Sequence, residues 1–299
     1  MGSVNVTGTP SEPAGGEPTG SEPTAQSSDD RAREGSDAEP RIVDPAPEVA
    51  EGVLEHGEIV GGAQVQLGSN QTFLVHLNAR HESAAPGDIG DGDTGPGEPA
   101  VMRAIYKPRD GERPLSDYPD GTLYLREYAT YLVAQALGWP KVPLTVIRDG
   151  PFGPGSMQRF VNFDPGVTYF NLREDRLDEL APFATFDLLV NNGDRKGGHF
   201  LLDGDDAIWS VDHGLTFHQD FKLRTVMLEF WDEPIPDALV SDLRALMSKL
   251  ELGGELRAAL ADLISGPELD ALRARLDAML ASPVHPMLDP YRNVPWPLI

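Results

Sequence analysis

The chain has 299 residues, enough for one large domain or two smaller ones around a substantial core. Its formal net charge of −24 repels nucleic acid and anionic lipid, so neither is expected as a partner held by general electrostatics. The absence of cysteine excludes disulfides, thiol catalysis and thiolate metal sites.

Residues 1–50 contain no aromatic residue and carry ten acidic groups against three basic ones. Such a segment cannot bury enough apolar surface to offset its chain entropy, and it is expected to be a disordered acidic tail. It lacks the basic start and apolar run of a signal peptide, and no stretch of the chain approaches the roughly 18 apolar residues of a membrane span. A cytoplasmic location follows as the expectation. Order is expected to begin near Val53. Residues 59–67 and 72–77 read as strands joined by the turn Gly68-Ser69-Asn70-Gln71. Residues 81–99, rich in Gly, Pro and Asp, read as a flexible loop; Asp91-x-Asp93-x-Gly95 lacks the closing Glu of a calcium loop.

A third strand over 100–106 ends at Lys107-Pro108. A helix follows over 122–138, with Thr122 as N-cap, Gly138 as stop, and Leu125, Tyr128, Leu132 and Ala136 as the expected buried stripe. Glu127 lies beside that stripe. Strand-like pieces at 142–148 and 155–163 complete a five-stranded first lobe over residues 51–163. The second lobe, 164–299, reads as mostly helical. A helix over 180–190 ends at Asn191-Asn192-Gly193, Asp203-Gly204-Asp205 marks a hairpin, and three leucine stripes within 239–280 mark three core-facing helices. The proline-rich end, from His285, is expected to be extended.

The most specific stretch runs from Phe186 to Phe217. Asp194 sits in a polar loop after an apolar helix, His199 follows five residues later, and Asp212-His213-Gly214 lies eighteen residues beyond Asp194. Two carboxylates so spaced suit phosphoryl transfer, the first accepting a proton from a hydroxyl and the second holding a metal on nucleotide phosphates. Asp187, inside an otherwise apolar helix, reads as a buried acceptor that organises this loop, and Arg195 as its tie to the lobe.

The stretch Gly193-Asp194-Arg195-Lys196…His199, then Val211-Asp212-His213-Gly214, resembles the catalytic core of phosphatidylinositol 3/4-kinases and related atypical kinases. Their pattern is Gly-Asp-Arg-His-x-x-Asn followed by Ile-Asp-Phe-Gly. The span from about residue 53 to the end also resembles an actinobacterial family of phosphatidylinositol-kinase-like proteins. The resemblance implies an α+β, bilobal, protein-kinase-like fold using ATP and Mg²⁺. It implies that Asp194 orients or deprotonates the acceptor, that Asp212 binds the metal, that Lys107 reaches the α/β-phosphates, and that Glu127 holds Lys107. Ser69 and Asn70 would occupy the phosphate-loop position, although the segment is not a G-x-G-x-x-G and a plain hairpin is the alternative.

His199 stands where the family has a metal-binding Asn, as a weak ligand favouring Mn²⁺ or as a structural histidine. Lys196 stands where many protein kinases place a lysine that meets the transferring phosphate. Within residues 213–230, directly after Asp212, only Lys222 and Arg224 offer positive charge, so a protein or small-molecule hydroxyl fits better than a lipid. A nucleotide-binding pseudokinase, an AMP transferase on the same fold and a metal-dependent hydrolase remain the alternatives.

Overall fold

The computed structural model describes residues 40–65, 69–79 and 100–299. The expected loop over 81–99, the first 39 residues, and Leu67 and Gly68 of the expected phosphate loop lie outside the described residues.

Among the described residues, eight strands and seven α-helices follow in chain order. They are β1 (Arg41–Ile42), α1 (Pro47–His56), β2 (Ile59–Val65), β3 (Thr72–Asn78), β4 (Ala100–Pro108), α2 (Leu123–Leu137), β5 (Thr145–Gly150) and β6 (Gly153–Arg159). Then come α3 (Tyr169–Asp175), α4 (Leu177–Val190), β7 (Phe200–Leu202), β8 (Ile208–Ser210), α5 (Asp237–Lys249), α6 (Glu255–Ala261) and α7 (Gly266–Ala281). No helix among the described residues is long and apolar enough to cross a membrane.

The main sheet has the antiparallel order β2-β3-β4-β6-β5, with β1 parallel to the start of β4. Met102, Ala104 and Tyr106 of β4 are buried and pack with Ala50, Val53 and Leu54 of α1. Side chains alternate across a strand, so Lys107 projects from the opposite, open face. Pro108 does not end the pairing: it stands opposite Gly155, where a Cβ would come within 2.5 Å of the Lys107 carbonyl oxygen. That close approach is open only to glycine.

The chain is ordered well before Val53. Arg41 and Ile42 pair with Ala100 and Val101, Asp44 forms an ion pair with Arg159, and Ala50 is fully buried. The Arg148 guanidinium donates to the carbonyls of Leu54 and Gly57, at 3.1 and 2.8 Å, and so fixes the end of α1. Acidic composition concealed this segment because its anchors are single residues spaced along a polar stretch. The expected tail overlaps described structure at 41–50, and its remaining residues, 1–39, lie outside the described residues. Deleting 1–39 is expected to leave the melting temperature nearly unchanged, whereas deleting 1–50 is expected to lower it by about 5–10 °C. Equal melting curves for the two truncations would contradict the packing of 41–50.

Helix α2 departs from expectation in the face it buries. Leu125, Tyr128, Leu132 and Ala136 are only partly buried; the covered face carries Leu123, Arg126, Glu127, Thr130, Val133 and Ala134. This face meets two partners of different character. Ala129, Val133 and Ala134 join the apolar core of α4, α5, α6 and α7, while Arg126, Glu127 and Thr130 find polar partners. The apolar face of α2, a helix expected within residues 51–163, thus packs with helices that come after residue 163. Thr122 does not cap α2 with its side chain, which donates instead to the Pro119 carbonyl. The Glu112 carboxylate takes that part, accepting the Leu123 and Tyr124 amides at 3.1 and 2.8 Å.

The leucine helices match α5, α6 and α7, whose Leu243, Leu246, Leu260, Leu272 and Leu276 are buried in one core. A third apolar cluster joins α3, α4 and the β7–β8 hairpin through Tyr169, Leu180, Phe183, Phe200 and Ile208. Residues 289–299 contain no helix or strand.

Candidate active site

Two distant segments converge on Lys107. Its ammonium bonds Glu127 Oε1 of α2 on one side and Asp212 Oδ1, at 2.9 Å, on the other. The second Glu127 oxygen accepts the backbone amide of His213 at 3.0 Å. Glu127 is 2% exposed, so it is a buried carboxylate whose two oxygens join the sheet's lysine to the Asp-His-Gly loop. Burial raises the Glu127 carboxyl, with Lys107 and the His213 amide opposing it. Burial works against the charge on Lys107, but Asp212 and Glu127 outweigh it and hold the ammonium above its ordinary range. The same ammonium, with His199, overcomes desolvation at Asp212 and holds its carboxyl well below the usual carboxylate range. Asp212 adopts a left-handed backbone with φ of 62°, a conformation that aspartate tolerates better than most residues.

The loop that carries Asp194 is held from beneath. Arg195 is fully buried and its guanidinium meets Asp187 through two bonds of 2.7 and 2.9 Å. It also donates to the Val211 carbonyl, Ser210 Oγ and His213 Nε2, at 3.0, 2.8 and 2.9 Å. One side chain therefore fixes both the Asp194 loop and the Asp212 loop. Asn192 extends the arrangement, donating to Asp187 and accepting the Asp194 amide, each at 3.0 Å. The Asp194 carboxylate points outward and pairs with Lys196 at 2.9 Å. Burial pushes the Asp194 carboxyl up, and the Lys196 ammonium works against that rise.

His199 lies between the two loops. The Lys196 amide donates to its Nδ1 at 3.3 Å, and its Nε2 faces Asp212 Oδ2, also at 3.3 Å. Burial lowers the imidazole to about 4, against the opposing pull of Asp212, so the ring is neutral at pH 7. A neutral ring that accepts at Nδ1 carries its proton on Nε2 and presents Asp212 with a donor. Ser69 and Asn70 stand apart from this cluster in their contacts: the Asn70 side chain accepts the Arg113 amide at 2.9 Å, and Ser69 is exposed. No group of three or more His, Asp or Glu side chains arranged to hold a metal occurs among the described residues. The donor set that fits a hard cation is the ionised, half-exposed carboxylate of Asp212, with the remaining positions open to phosphate oxygen and water.

Sequence comparison places this architecture among known proteins. The chain is 36% identical over 281 residues to Protein Rv2133c of Mycobacterium tuberculosis, a match that covers 82% of this chain and 94% of that protein. This chain belongs to the family of Rv2133c. No family model matches it. Solved structures with a similar course of the chain include the Golgi casein kinase with Mn/ADP bound, at a TM-score of 0.47 and 14% identity over 78% of this chain and 74% of that one. A Helicobacter pylori proinflammatory kinase, CtkA, gives a TM-score of 0.45 and 12% identity over 77% and 94%.

Several contacts in this Rv2133c-family member escaped sequence reasoning. Arg126 is 1% exposed and joins Glu268 of α7 and the Thr216 carbonyl, each at 2.6 Å, beside the Glu127 that sequence did single out. Asn293 and Leu298 are bound to the segments that flank Asp194 and Arg224 as well. The Thr225 amide donates to the Asn293 carbonyl at 2.8 Å, and the Gly197 amide to the Leu298 carbonyl at 2.7 Å. Nothing in composition or periodicity signals such pairings, because they are made by backbone groups.

Proposed function

We propose that the chain is an ATP- and Mg²⁺-dependent phosphotransferase of the phosphatidylinositol 3/4-kinase-like type, acting on a hydroxyl of a protein or small molecule. The observation that carries this reading is the position of Lys107, which bridges Glu127 of α2 and Asp212 of the Asp-His-Gly loop from the open face of the sheet. A structural ion pair would be complete with Glu127 alone. The second carboxylate, half-exposed and ionised, gives the lysine and Asp212 a joint polyanion site that a nucleotide–metal complex can enter.

In this reading Lys107 binds the α/β-phosphates and Glu127 keeps its ammonium on the open face. Asp212 holds Mg²⁺, with Mn²⁺ as the alternative, and the bound ion supplies charge neutralisation at the phosphates. His199 donates to Asp212 and orients it, a positioning part that replaces the metal-ligand part expected from its place in the motif. Asp194 takes the proton of the acceptor hydroxyl as that oxygen bonds to the γ-phosphorus and the bond to the β-phosphate oxygen breaks, releasing ADP. Lys196 steadies Asp194 and offers positive charge toward the transferring group.

The test combines parallel incubations with γ- and α-labelled ATP with two substitutions. Transfer of γ-label is expected, with Lys107→Met reducing nucleotide affinity and transfer sharply and Glu127→Gln reducing both less. The double variant should lose less than the sum of the singles, since the two residues act as one unit. Transfer of α-label would mean AMP transfer, and nucleotide binding without any transfer would mean a pseudokinase. Strict additivity would remove the pair from the mechanism.

A further inference from the structure

The segment after the Asp-His-Gly loop runs beside the loop that carries Asp194. The Arg224 amide donates to the Asn192 carbonyl at 2.9 Å, the Arg195 amide donates to the Arg224 carbonyl at 3.0 Å, and Arg195 and Thr225 form a parallel bridge. Partners in a parallel bridge turn their side chains to the same side, and the preceding pair turns to the other. Arg195 and Thr225 are both buried, so Asp194 and Arg224 share the outward side.

The two groups differ in how they are satisfied there. Lys196 is paired with Asp194, and Lys222 with Asp117 at 3.1 Å. The Arg224 guanidinium is exposed and has no hydrogen-bond or ion-pair partner among the described residues. Its backbone is nevertheless bonded on both sides to the loop that carries Asp194. In a chain of net charge −24 with 48 acidic residues, an arginine left unpaired at this place is conspicuous.

We infer that Arg224 is an acceptor-specificity residue: it binds a carboxylate next to the reacting hydroxyl, so that the acceptor is an acidic peptide. This rests on Asp194 facing the acceptor, as in the proposed function. A guanidinium matches a carboxylate through two parallel bonds, and one unpaired cation balances one carboxylate. A phosphate dianion would call for a second free cation, and the neighbouring lysines are already engaged. The overall charge of −24 disfavours acidic peptides, so a preference for them requires a local site.

The experiment uses two fluorescein-labelled peptides, each with one serine, flanked by glutamates in one and by glutamines in the other. Their binding to the full chain is read by anisotropy with Mg²⁺ and ADP present, and their labelling by γ-labelled ATP is read separately. The parent should bind the glutamate peptide about tenfold more tightly, the worth of one charge-assisted contact. Arg224→Gln should erase that ratio and Arg224→Lys should keep part of it, both with an unchanged melting temperature because the side chain is exposed. Equal binding of the two peptides by the parent, or a preference that survives Arg224→Gln, would overturn the inference. Binding is read without turnover, so the two failures separate. A preference without transfer of label would sink the phosphotransferase reading and leave the carboxylate site standing; transfer without preference would do the reverse.

Discussion

Replacing Asp194 with Asn is expected to lower phosphoryl transfer by roughly 10²–10⁴-fold, the usual share of a positioned acid or base, while leaving nucleotide affinity nearly intact. The Asp194 carboxylate pairs with Lys196, and its backbone is set by Asn192, so the change removes the proton acceptor while leaving the hydrogen bonds of the Lys107 cluster in place. Asp212→Asn is expected to behave differently. It removes the negative charge that faces Lys107 and the group expected to hold the metal, so Mg²⁺-dependent nucleotide affinity should fall together with transfer. Titration calorimetry with Mg²⁺–ADP and single-turnover labelling distinguish the two. Full transfer by Asp194→Asn, or parental metal–nucleotide affinity in Asp212→Asn, would remove the assigned roles.

The largest effect on stability is expected at Asp187. Asp187→Ala strips the counter-charge from a fully buried arginine, and breaking such a pair costs about 3–5 kcal/mol. Urea unfolding should show that loss in the midpoint at a similar slope. Arg195 also holds Ser210, the Val211 carbonyl and His213, so the damage should spread to the Asp212 loop. The double change Asp187→Leu with Arg195→Met should be more stable than Asp187→Ala alone, since no unpaired charge remains inside. A loss below about 1 kcal/mol for Asp187→Ala would mean that water reaches Arg195.

What the sequence disclosed, and what it withheld, follows from the range and kind of each interaction. Asp187, Asp194, Arg195 and Asp212 fall within 26 residues of one another, and their spacing alone suggested a shared site. Lys107 lies 105 residues from Asp212 and could be linked to it only through a family pattern. Helix α2 was legible in extent but not in orientation. Periodicity identifies apolar residues, whereas this helix turns Arg126 and Glu127 inward to meet partners supplied by the Asp-His-Gly loop and α7. Helix α3 went unread because seven residues give too little periodicity; its signal was the capping pair Thr168 and Asn171. The anchoring of residues 41–50 was hidden by an acidic, proline-rich composition shared with the preceding residues.

The backbone bonds that Gly197 and Thr225 make to Leu298 and Asn293 also set an order in time. A polypeptide is made from its N-terminus, so the loop that carries Asp194 is synthesised about a hundred residues before the segment that braces its outer edge. Until residue 298 has left the ribosome, Gly197 has only water to accept its amide proton. A nascent chain can therefore assemble the sheet, α1 and the Lys107–Glu127 pair while the loop that carries Asp194 is still open on one side. Translation that stops short of residue 293 would release a protein with most of its core and an unbraced centre.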